Sequence, residues 1–168
     1  TLKKVNASHI TPVLNKLAEA GCTIKLRENE IKLKAPKRLK AVDIKTMPYP
    51  GFPTDMQAIM GATLTVATGT SIIVENIFEN RYKYTTELQK MGAKINIEGK
   101  TAIIKGVKKI YGAKVLATDL RGGASLVLAG LVAKGTTNVE NIEYILRGYE
   151  NLDGKLKNLG AEIYTVRD

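Results

Sequence analysis

A unit of roughly 65 to 70 residues occurs more than once in this chain, and the repeat constrains the fold more than any other feature of the sequence. The recurring motifs share their order and spacing. They are Leu-x-x-Met-Gly-Ala-Lys-Ile at 88–95, Leu-x-x-Leu-Gly-Ala-Glu-Ile at 156–163, a looser copy at 17–24, Thr-Asp at 54–55 and 118–119, and Val-Glu-Asn-Ile at 74–77 and 139–142. Self-similarity of this length indicates one supersecondary unit used repeatedly.

Two full units and the back half of a third account for the sequence, with the half unit at residues 1–24. We therefore expect one domain over residues 1–168, which is a usual size for a single hydrophobic core. Thr1 stands in place of an initiator methionine. We also expect, for this reason, that the chain is a piece of a longer protein with a further domain.

The element order β-α-β-α-β-β is predicted for each unit from periodicity, glycine stops and β-branched runs. Thr54-x-x-Gln57 has the form of a capping box that opens the first long helix. In the first unit we predict a strand at 42–45, a helix from 54 to about 67, a strand at 71–75, a helix at 85–91 and a hairpin at 94–98 and 101–105. In the second unit we predict a strand at 114–117, a helix at 119–134, a strand at 137–140, a helix at 149–159 and a strand at 162–167.

In the long helices, residues 55–67 hold one charged residue, Asp55, and residues 120–133 hold one, Arg121. A helix that is apolar or small on every side is usually buried on every side. We therefore predict that helices 54–67 and 118–134 pack side by side at the centre and that the sheets lie around them. An exposed apolar groove is expected where the central helix of the half unit belongs.

The net charge of +10 is concentrated at the start of the chain. Residues 1–45 hold 11 Lys and Arg against 4 acidic residues, a net +7, which leaves +3 for the rest. Lys25, Arg27, Lys32 and Lys34 alternate with apolar residues, as the solvent face of a hairpin does. No aromatic residue is interleaved with them, so the pattern favours a solvated strand face over a nucleic-acid surface, and no nucleic-acid partner is expected.

Composition also bears on location and on metal binding. No apolar stretch approaches the ~18 residues of a membrane span and no targeting segment is present, so we expect a soluble cytoplasmic domain without a membrane partner. The single cysteine, Cys22, excludes an internal disulfide, and one His with one Cys argues against a zinc site. Because Cys22 occupies the place of Ala93 and Ala161 in the other copies, we interpret it as a small packing residue.

Three arginines are notable for their positions. Arg121 lies in the first turn of a predicted helix, where the helix dipole disfavours a cation by ~0.3 to 1 kcal/mol. Arg81 and Arg147 stand at equivalent places of the two units, each just ahead of a short predicted helix. An anion at such helix starts would be bound by backbone N–H groups and guanidinium groups together. The alternative is that all three are surface or salt-bridged arginines.

Asp55 and Asp119 are also equivalent, because each follows a threonine at a helix start. The helix dipole stabilises an acid there without any further function. The proline-rich loop at 48–53 distinguishes Asp55, since rigid loops of unusual sequence often position catalytic groups.

Four linked segments carry a resemblance to a known family. They are Pro-Gly-Phe-Pro-Thr-Asp-Met-Gln at 50–57, Phe-Glu-Asn-Arg-Tyr at 78–82, Thr-Asp-Leu-Arg-Gly-Gly-Ala-Ser-Leu-Val-Leu-Ala-Gly at 118–130 and Arg-Gly-Tyr-Glu at 147–150. In this order they resemble the UDP-N-acetylglucosamine 1-carboxyvinyltransferases. The resemblance covers essentially the whole chain and implies an inside-out α/β barrel, with helices inside and sheets outside.

The resemblance implies a reaction as well as a fold. Members of this family transfer the enolpyruvyl group of phosphoenolpyruvate to the 3-hydroxyl of UDP-N-acetylglucosamine, by addition and elimination, with release of phosphate. This is the first dedicated step of peptidoglycan synthesis. The small-molecule partners implied are therefore phosphoenolpyruvate and UDP-N-acetylglucosamine, and no cofactor or metal is implied.

By motif position, the resemblance also implies site residues. The catalytic positions are Asp55, Asp119, Arg121 and Arg147, and the substrate-binding positions are Asp55, Ile77, Arg81, Arg121 and Arg147. Asp55 matches the residue that contacts the sugar hydroxyl and is proposed as its base, and Ile77 matches a position whose backbone touches the sugar. Arg121 and Arg147 match residues that face the carboxylate and phosphate of phosphoenolpyruvate.

Other groups of the family are not found in this sequence. The loop cysteine that acts as general acid, a Lys-Asn pair and a further active-site arginine belong to the family's other domain, and Cys22 does not match that loop. We therefore expect this chain to be the C-terminal portion, one half of a cleft that closes over substrate. Two alternatives stay open: 3-phosphoshikimate 1-carboxyvinyltransferase, whose Asp-His-Arg-x-Ala-Met signature is replaced at 119–124, and a non-catalytic binding module.

Overall fold

A computed structural model describes residues 1–166 of the chain. The strands are β1 (Leu2–Lys3), β2 (Thr23–Arg27), β3 (Glu30–Lys34), β4 (Ile44–Lys45), β5 (Thr70–Val74), β6 (Lys94–Glu98), β7 (Thr101–Lys105), β8 (Lys114–Leu116) and β9 (Asn138–Glu140). The α-helices are α1 (Thr11–Glu19), α2 (Gln57–Leu64), α3 (Tyr84–Lys90), α4 (Leu120–Val132), α5 (Glu143–Leu146) and α6 (Leu152–Asn158). Short 3-10 turns at Ala7–Ile10, Thr54–Met56 and Arg81–Lys83 lead into α1, α2 and α3.

The strands form three sheets that follow the repeat. The sheet of the first unit has the order β4-β5-β7-β6, in which β4 and β5 are parallel and the other pairs are antiparallel. In the second unit, β8 and β9 repeat the parallel pair, and residues 2–34 contribute the antiparallel sheet β1-β3-β2. Alternate residues of β5 and β7 point inward to the core, among them Ile73, Ala102 and Ile104.

The two long helices lie against each other at the centre, and the predicted inside-out arrangement is confirmed. No residue of α2 is exposed, and α4 buries every residue from Gly122 to Leu126. The apolar character that predicted this burial is therefore matched by contacts on all sides of α2. At its last turn α4 is less covered, since Leu131 is 39% exposed and Val132 59%. The expected apolar groove beside the central helices stays a prediction.

Helix α2 is shorter than the predicted span of 54–67. It ends at Leu64, because the N–H groups of Thr65 and Ala67 donate three residues back, to Ala62 at 3.2 Å and Leu64 at 3.1 Å, and that of Thr68 donates to Leu39 at 2.8 Å. The guanidinium of Arg38 donates to the carbonyl oxygens of Val66 and Ala67, each at 2.8 Å, and the N–H of Val107 donates to that of Thr65 at 2.8 Å. These tertiary bonds satisfy the carbonyls of the turn that follows the helix.

The predicted capping box at Thr54 and Gln57 is wrong. The hydroxyl of Thr54 donates to the carboxylate of Glu75 at 2.9 Å instead of capping α2. The Gln57 side chain is fully buried, and neither end of its amide has a hydrogen-bond partner within residues 1–166. The motif failed because a buried carboxylate competes for the threonine hydroxyl, which the local sequence does not reveal.

The second unit departs from its predicted elements after β9. The helix predicted at 149–159 is preceded by the separate helix α5, and α6 begins only at Leu152, after Asn151 adopts a left-handed conformation with φ of 48°. Asparagine tolerates this region, so it separates the two helices. The strand predicted at 162–167 is absent over 162–166, where no ladder forms, whereas its counterpart β6 pairs with β7. Arg167 lies outside the described residues.

The predicted basic hairpin and the predicted packing of Cys22 are confirmed. The basic hairpin is formed by β2 and β3, and Lys25, Arg27, Lys32 and Lys34 are all exposed. Cys22 is buried, and burial raises the pKa of its thiol, as expected for a packing residue. Within residues 1–166 no helix has the length and apolarity to cross a membrane, and no cluster of three or more His, Cys, Asp or Glu could hold a metal ion.

The environment of Tyr82 links the stability of the fold to alkaline pH. Its hydroxyl lies 2.8 Å from the carbonyl oxygen of Ile73 and 3.1 Å from that of Lys100, and it joins the helix side of the sheet to the β6-β7 turn. Burial, followed by the charge of Glu75, raises the pKa of Tyr82 from 10.0 to about 12. The neutral hydroxyl is therefore favoured in the folded state.

We expect the free energy of unfolding to fall as pH rises from 10 to about 12, because the unfolded chain releases the Tyr82 proton first. Tyr82→Phe should make this decline less steep, although the loss of its hydrogen bonds lowers stability near neutral pH by about 1 kcal/mol. Denaturant unfolding at a series of pH values measures both effects. The exposed Tyr49 provides the control substitution to Phe, and a decline equally steep in Tyr82→Phe would contradict the prediction.

Candidate functional site

The turn that carries Asp55 is held between the end of β4 and the start of α2. Residues 47–52 close a loop in which the N–H of Met47 donates to the carbonyl of Phe52 at 3.0 Å. Phe52 is 5% exposed and anchors the loop in the core, and Pro53 then accepts a hydrogen bond from the N–H of Met56. The loop therefore delivers Asp55 to the surface, where its side chain is 58% exposed.

The start of α4 brings a second acid and a cation to the same region. Asp119 is the N-cap, and its Oδ1 accepts hydrogen bonds from the N–H groups of Arg121 and Gly122, both at 2.9 Å. Its carboxylate thus satisfies two otherwise free N–H groups at the helix start. Its negative charge also offsets the unfavourable interaction between the Arg121 cation and the positive end of the helix dipole. Asp119 has a structural role here, whereas the Arg121 side chain is left to face outward.

Asp55, Arg81 and Arg121 form one ionic cluster. Nε of Arg121 donates to Oδ1 of Asp55 at 3.0 Å, and Nη2 of Arg81 lies 3.7 Å from the same oxygen. The Arg81 side chain is 8% exposed, and its guanidinium stacks 4.2 Å above the ring of Phe78. One carboxylate therefore contacts two cations that come from different parts of the chain.

Ile77 and Arg81 share a pocket next to this cluster. A pocket of about 350 Å³ is lined by residues 75–82 with Gly99 and Lys100. The side chain of Ile77 is 45% exposed there. Arg81 is common to the pocket and to the cluster, so Asp55, Ile77, Arg81 and Arg121 belong to one contiguous surface.

Arg147 lies nearby but is placed differently from the prediction. It ends α5 instead of opening a helix, and its guanidinium stacks 5.4 Å from the ring of Tyr144. The adjacent Gly148 packs on Leu120 at the start of α4, since a Cβ at Gly148 would lie 2.7 Å from a Leu120 methyl carbon. Arg147 is thus at the same end of α4 as Arg121, without an ion pair to any of residues 1–166.

Two residues at the site were not identified from the sequence. Tyr149 lies beside the cluster, where burial chiefly raises the pKa of its hydroxyl, the Arg121 charge opposes the rise, and Asp55 and Asp119 add to it. Glu75 is 3% exposed and lies buried beneath the surface that carries the cluster. The repeat could have indicated Glu75, because Val-Glu-Asn-Ile recurs at 139–142, but its equivalent Glu140 pairs with Lys114 at 2.7 Å on the surface.

The contacts of Glu75 link three segments. Its Oε1 accepts hydrogen bonds from the hydroxyl of Thr46 at 2.7 Å and from the N–H groups of Ile77 at 2.8 Å and Phe78 at 3.0 Å. Its Oε2 accepts from the hydroxyl of Thr54 at 2.9 Å, beside Asp55. The carboxylate therefore ties the end of β4, the Asp55 turn and the loop after β5 to one point.

This arrangement suits an anionic ligand with a hydroxyl group. Arg121 uses Nε for Asp55, so its two terminal nitrogens are left for a carboxylate or phosphate. Arg147 adds a second guanidinium, and the exposed Asp55 carboxylate can accept a proton from a hydroxyl placed beside it. The sequence-predicted residues Asp55, Ile77, Arg81 and Arg121 are brought together, Asp119 supports Arg121, and Arg147 lies at the edge.

Comparison with known proteins gives relatives of one chemical class. The family model described as EPSP synthase (3-phosphoshikimate 1-carboxyvinyltransferase) matches residues 1–156. A UDP-N-acetylglucosamine 1-carboxyvinyltransferase of Thermodesulfovibrio yellowstonii is 55% identical over 167 residues, which are 99% of this chain and 40% of that protein. One of Desulfofundulus thermocisternus is 53% identical over 163 residues, 97% of this chain and 67% of that protein.

Solved structures agree with these relatives. The enolpyruvyl transferase NikO from Streptomyces tendae superposes with a TM-score of 0.84 at 27% identity, over 92% of this chain and 36% of that one. An EPSP synthase from Acinetobacter baumannii gives a TM-score of 0.63 at 19% identity and shares the fold. The chain spans about 40% of the length of the relatives from Thermodesulfovibrio yellowstonii and Caldanaerobacter subterraneus that it matches.

Proposed function

Since this chain belongs to the EPSP synthase family and, within it, to the UDP-N-acetylglucosamine 1-carboxyvinyltransferases, we propose that the protein containing it transfers an enolpyruvyl group from phosphoenolpyruvate to UDP-N-acetylglucosamine. The observation that carries the proposal is the Asp55 carboxylate held between Arg121 and Arg81 on an exposed surface. Peptidoglycan synthesis is the pathway that follows from this reaction.

In the proposed reaction, the 3-hydroxyl oxygen of the sugar adds to C2 of phosphoenolpyruvate while C3 gains a proton. Loss of phosphate from C2 and of a proton from C3 then restores the double bond, so the products are the enolpyruvyl ether and inorganic phosphate. Asp55 accepts the hydroxyl proton, because its carboxylate is the exposed base of the cluster. Arg121 and Arg147 hold the carboxylate and phosphate groups, whose negative charge needs fixed cations.

The remaining groups have supporting roles in this proposal. Asp119 orients the start of α4, Arg81 fixes Asp55, and Ile77 contacts the sugar through its backbone. The acid that protonates C3 belongs to the rest of the polypeptide, which also closes the other side of the cleft. A cytoplasmic location follows, because the two phosphorylated substrates carry several charges and do not enter a bilayer unaided.

The acceptor specificity of the full-length protein tests the proposal. We expect phosphate release from phosphoenolpyruvate with UDP-N-acetylglucosamine and none above background with shikimate 3-phosphate. The reverse preference would assign the protein to the 3-phosphoshikimate reaction. Absence of phosphate release with either acceptor, together with retained binding of UDP-N-acetylglucosamine, would indicate a binding module.

The chain of residues 1–168 by itself is expected to release no detectable phosphate from the two substrates. It spans 40% of its relative from Thermodesulfovibrio, and the proposal assigns the acid that protonates C3 to the rest of the polypeptide. A coupled phosphate assay with the purified chain, compared with the full-length protein at equal concentration, measures this. Turnover by the chain alone would overturn the assignment of the general acid to the rest of the polypeptide.

A further inference from the structure

In the loop after β5, the backbone N–H groups of two residues are directed to the buried Glu75 carboxylate and away from the pocket. The N–H groups of Ile77 and Phe78 both point to Oε1 of Glu75, so neither is available to a ligand. The carbonyl oxygen of Ile77 accepts no hydrogen bond from residues 1–166. The backbone of this loop can therefore offer acceptors to the pocket at 75–82, and it cannot offer these two donors.

The carboxylate that sets this orientation is also bound to the turn of Asp55. Thr54 donates to Oε2 of Glu75, and Thr46 donates to Oε1 while its own oxygen accepts the N–H of Asn76 at 2.8 Å. With four donors on one buried carboxylate, the position of the turn and the position of the loop depend on each other. A buried group whose bonds are all satisfied restricts its neighbours to one arrangement.

We propose that Glu75 is a positioning residue for the acceptor substrate. It holds the 76–78 loop with its carbonyl groups free to accept a hydrogen bond from an N–H or O–H donor of the sugar nucleotide, and it holds Asp55 at a fixed distance from that contact. This inference rests on the proposed function for the identity of the ligand. Glu75 does not touch the reacting atoms and acts through Ile77 and Thr54.

Glu75→Ala in the full-length protein is expected to raise KM for UDP-N-acetylglucosamine by roughly 10-fold and to change KM for phosphoenolpyruvate much less. Hydrogen exchange followed by mass spectrometry should show faster exchange of the amides of Ile77 and Phe78. Glu75→Gln should restore both properties largely, because its carbonyl oxygen can accept from the two amides while its NH2 group donates to the Thr54 oxygen.

The repeat supplies a matched control. Glu140→Ala removes the equivalent glutamate, which pairs with Lys114 on the surface, and should leave both KM values and the exchange at 76–78 unchanged. If Glu75→Ala does not fold, Thr54→Val removes one bond to the carboxylate. It should lower kcat several-fold through Asp55 while amide protection at 76–78 is retained.

The two proposals fail in different ways. If the wild-type protein does not use UDP-N-acetylglucosamine, the proposed function fails, and the exchange of the two amides still reports whether Glu75 holds the loop. If the wild type is active but Glu75→Ala changes neither exchange nor KM for the sugar nucleotide, the positioning role is overturned. Equal changes in both KM values, or no recovery in Glu75→Gln, would likewise overturn it.

Discussion

Asp55→Ala in the full-length protein is expected to lower kcat by about 10²-fold or more, because the only base of the ionic cluster is removed from the sugar hydroxyl. Arg121→Ala and Arg147→Ala are each expected to cost about 2 to 4 kcal/mol of transition-state stabilisation, the scale for the loss of a preorganised donor in a closed site. Arg27→Ala, on the exposed face of the β2-β3 hairpin, is the control and should be neutral.

Steady-state kinetics with both substrates and circular dichroism of each variant measure these effects with the fold monitored. The structure adds a refinement, since Arg121 and Asp55 are bonded to each other. Removal of either side chain leaves its partner without this hydrogen bond. The loss of transition-state stabilisation in the double variant should therefore be smaller than the sum of the losses in the two single variants. Wild-type kcat/KM in Asp55→Ala and in both arginine variants would return these residues to a structural role.

The second large effect is expected in the core. Leu126→Ala should lower the free energy of unfolding of this chain by about 2 to 5 kcal/mol, since Leu126 is fully buried in α4 and its loss leaves a cavity. Leu131→Ala, in the partly exposed last turn of the same helix, is the matched control and should cost much less. Urea denaturation of both variants gives the comparison. Equal losses would contradict the central position of α4.

Much of the architecture could be predicted from local patterns in the sequence. The β6-β7 hairpin has the predicted bounds because Gly99, with φ of 59°, supplies the turn and β-branched residues flank it. The central position of α2 and α4 followed from their lack of charge, which is a property of the helix alone. Signals of this kind do not depend on which segments meet in space.

The misplaced features all depend on tertiary partners. The carbonyl of Leu39 accepts the N–H of Thr68 beyond the end of α2, and Glu75 accepts the hydroxyl of Thr54 that the predicted capping box would use. Glu75 itself has the same local sequence as Glu140, so only the fold distinguishes a buried acceptor of four bonds from a surface ion pair. Gly148, just after the end of α5, packs on Leu120, and no local motif encodes this contact.

The bond between Asp55 and Arg121 joins positions of two different repeats, and this has a consequence for the origin of the site. In the alignment of the units, Asp119 is the counterpart of Asp55 and Gln57 is the counterpart of Arg121. Two identical copies would carry either two arginines or two glutamines there. The difference between Gln57 and Arg121 therefore arose after the duplication of the unit, and it left one copy with a buried glutamine and the other with a cation that reaches Asp55 of the first.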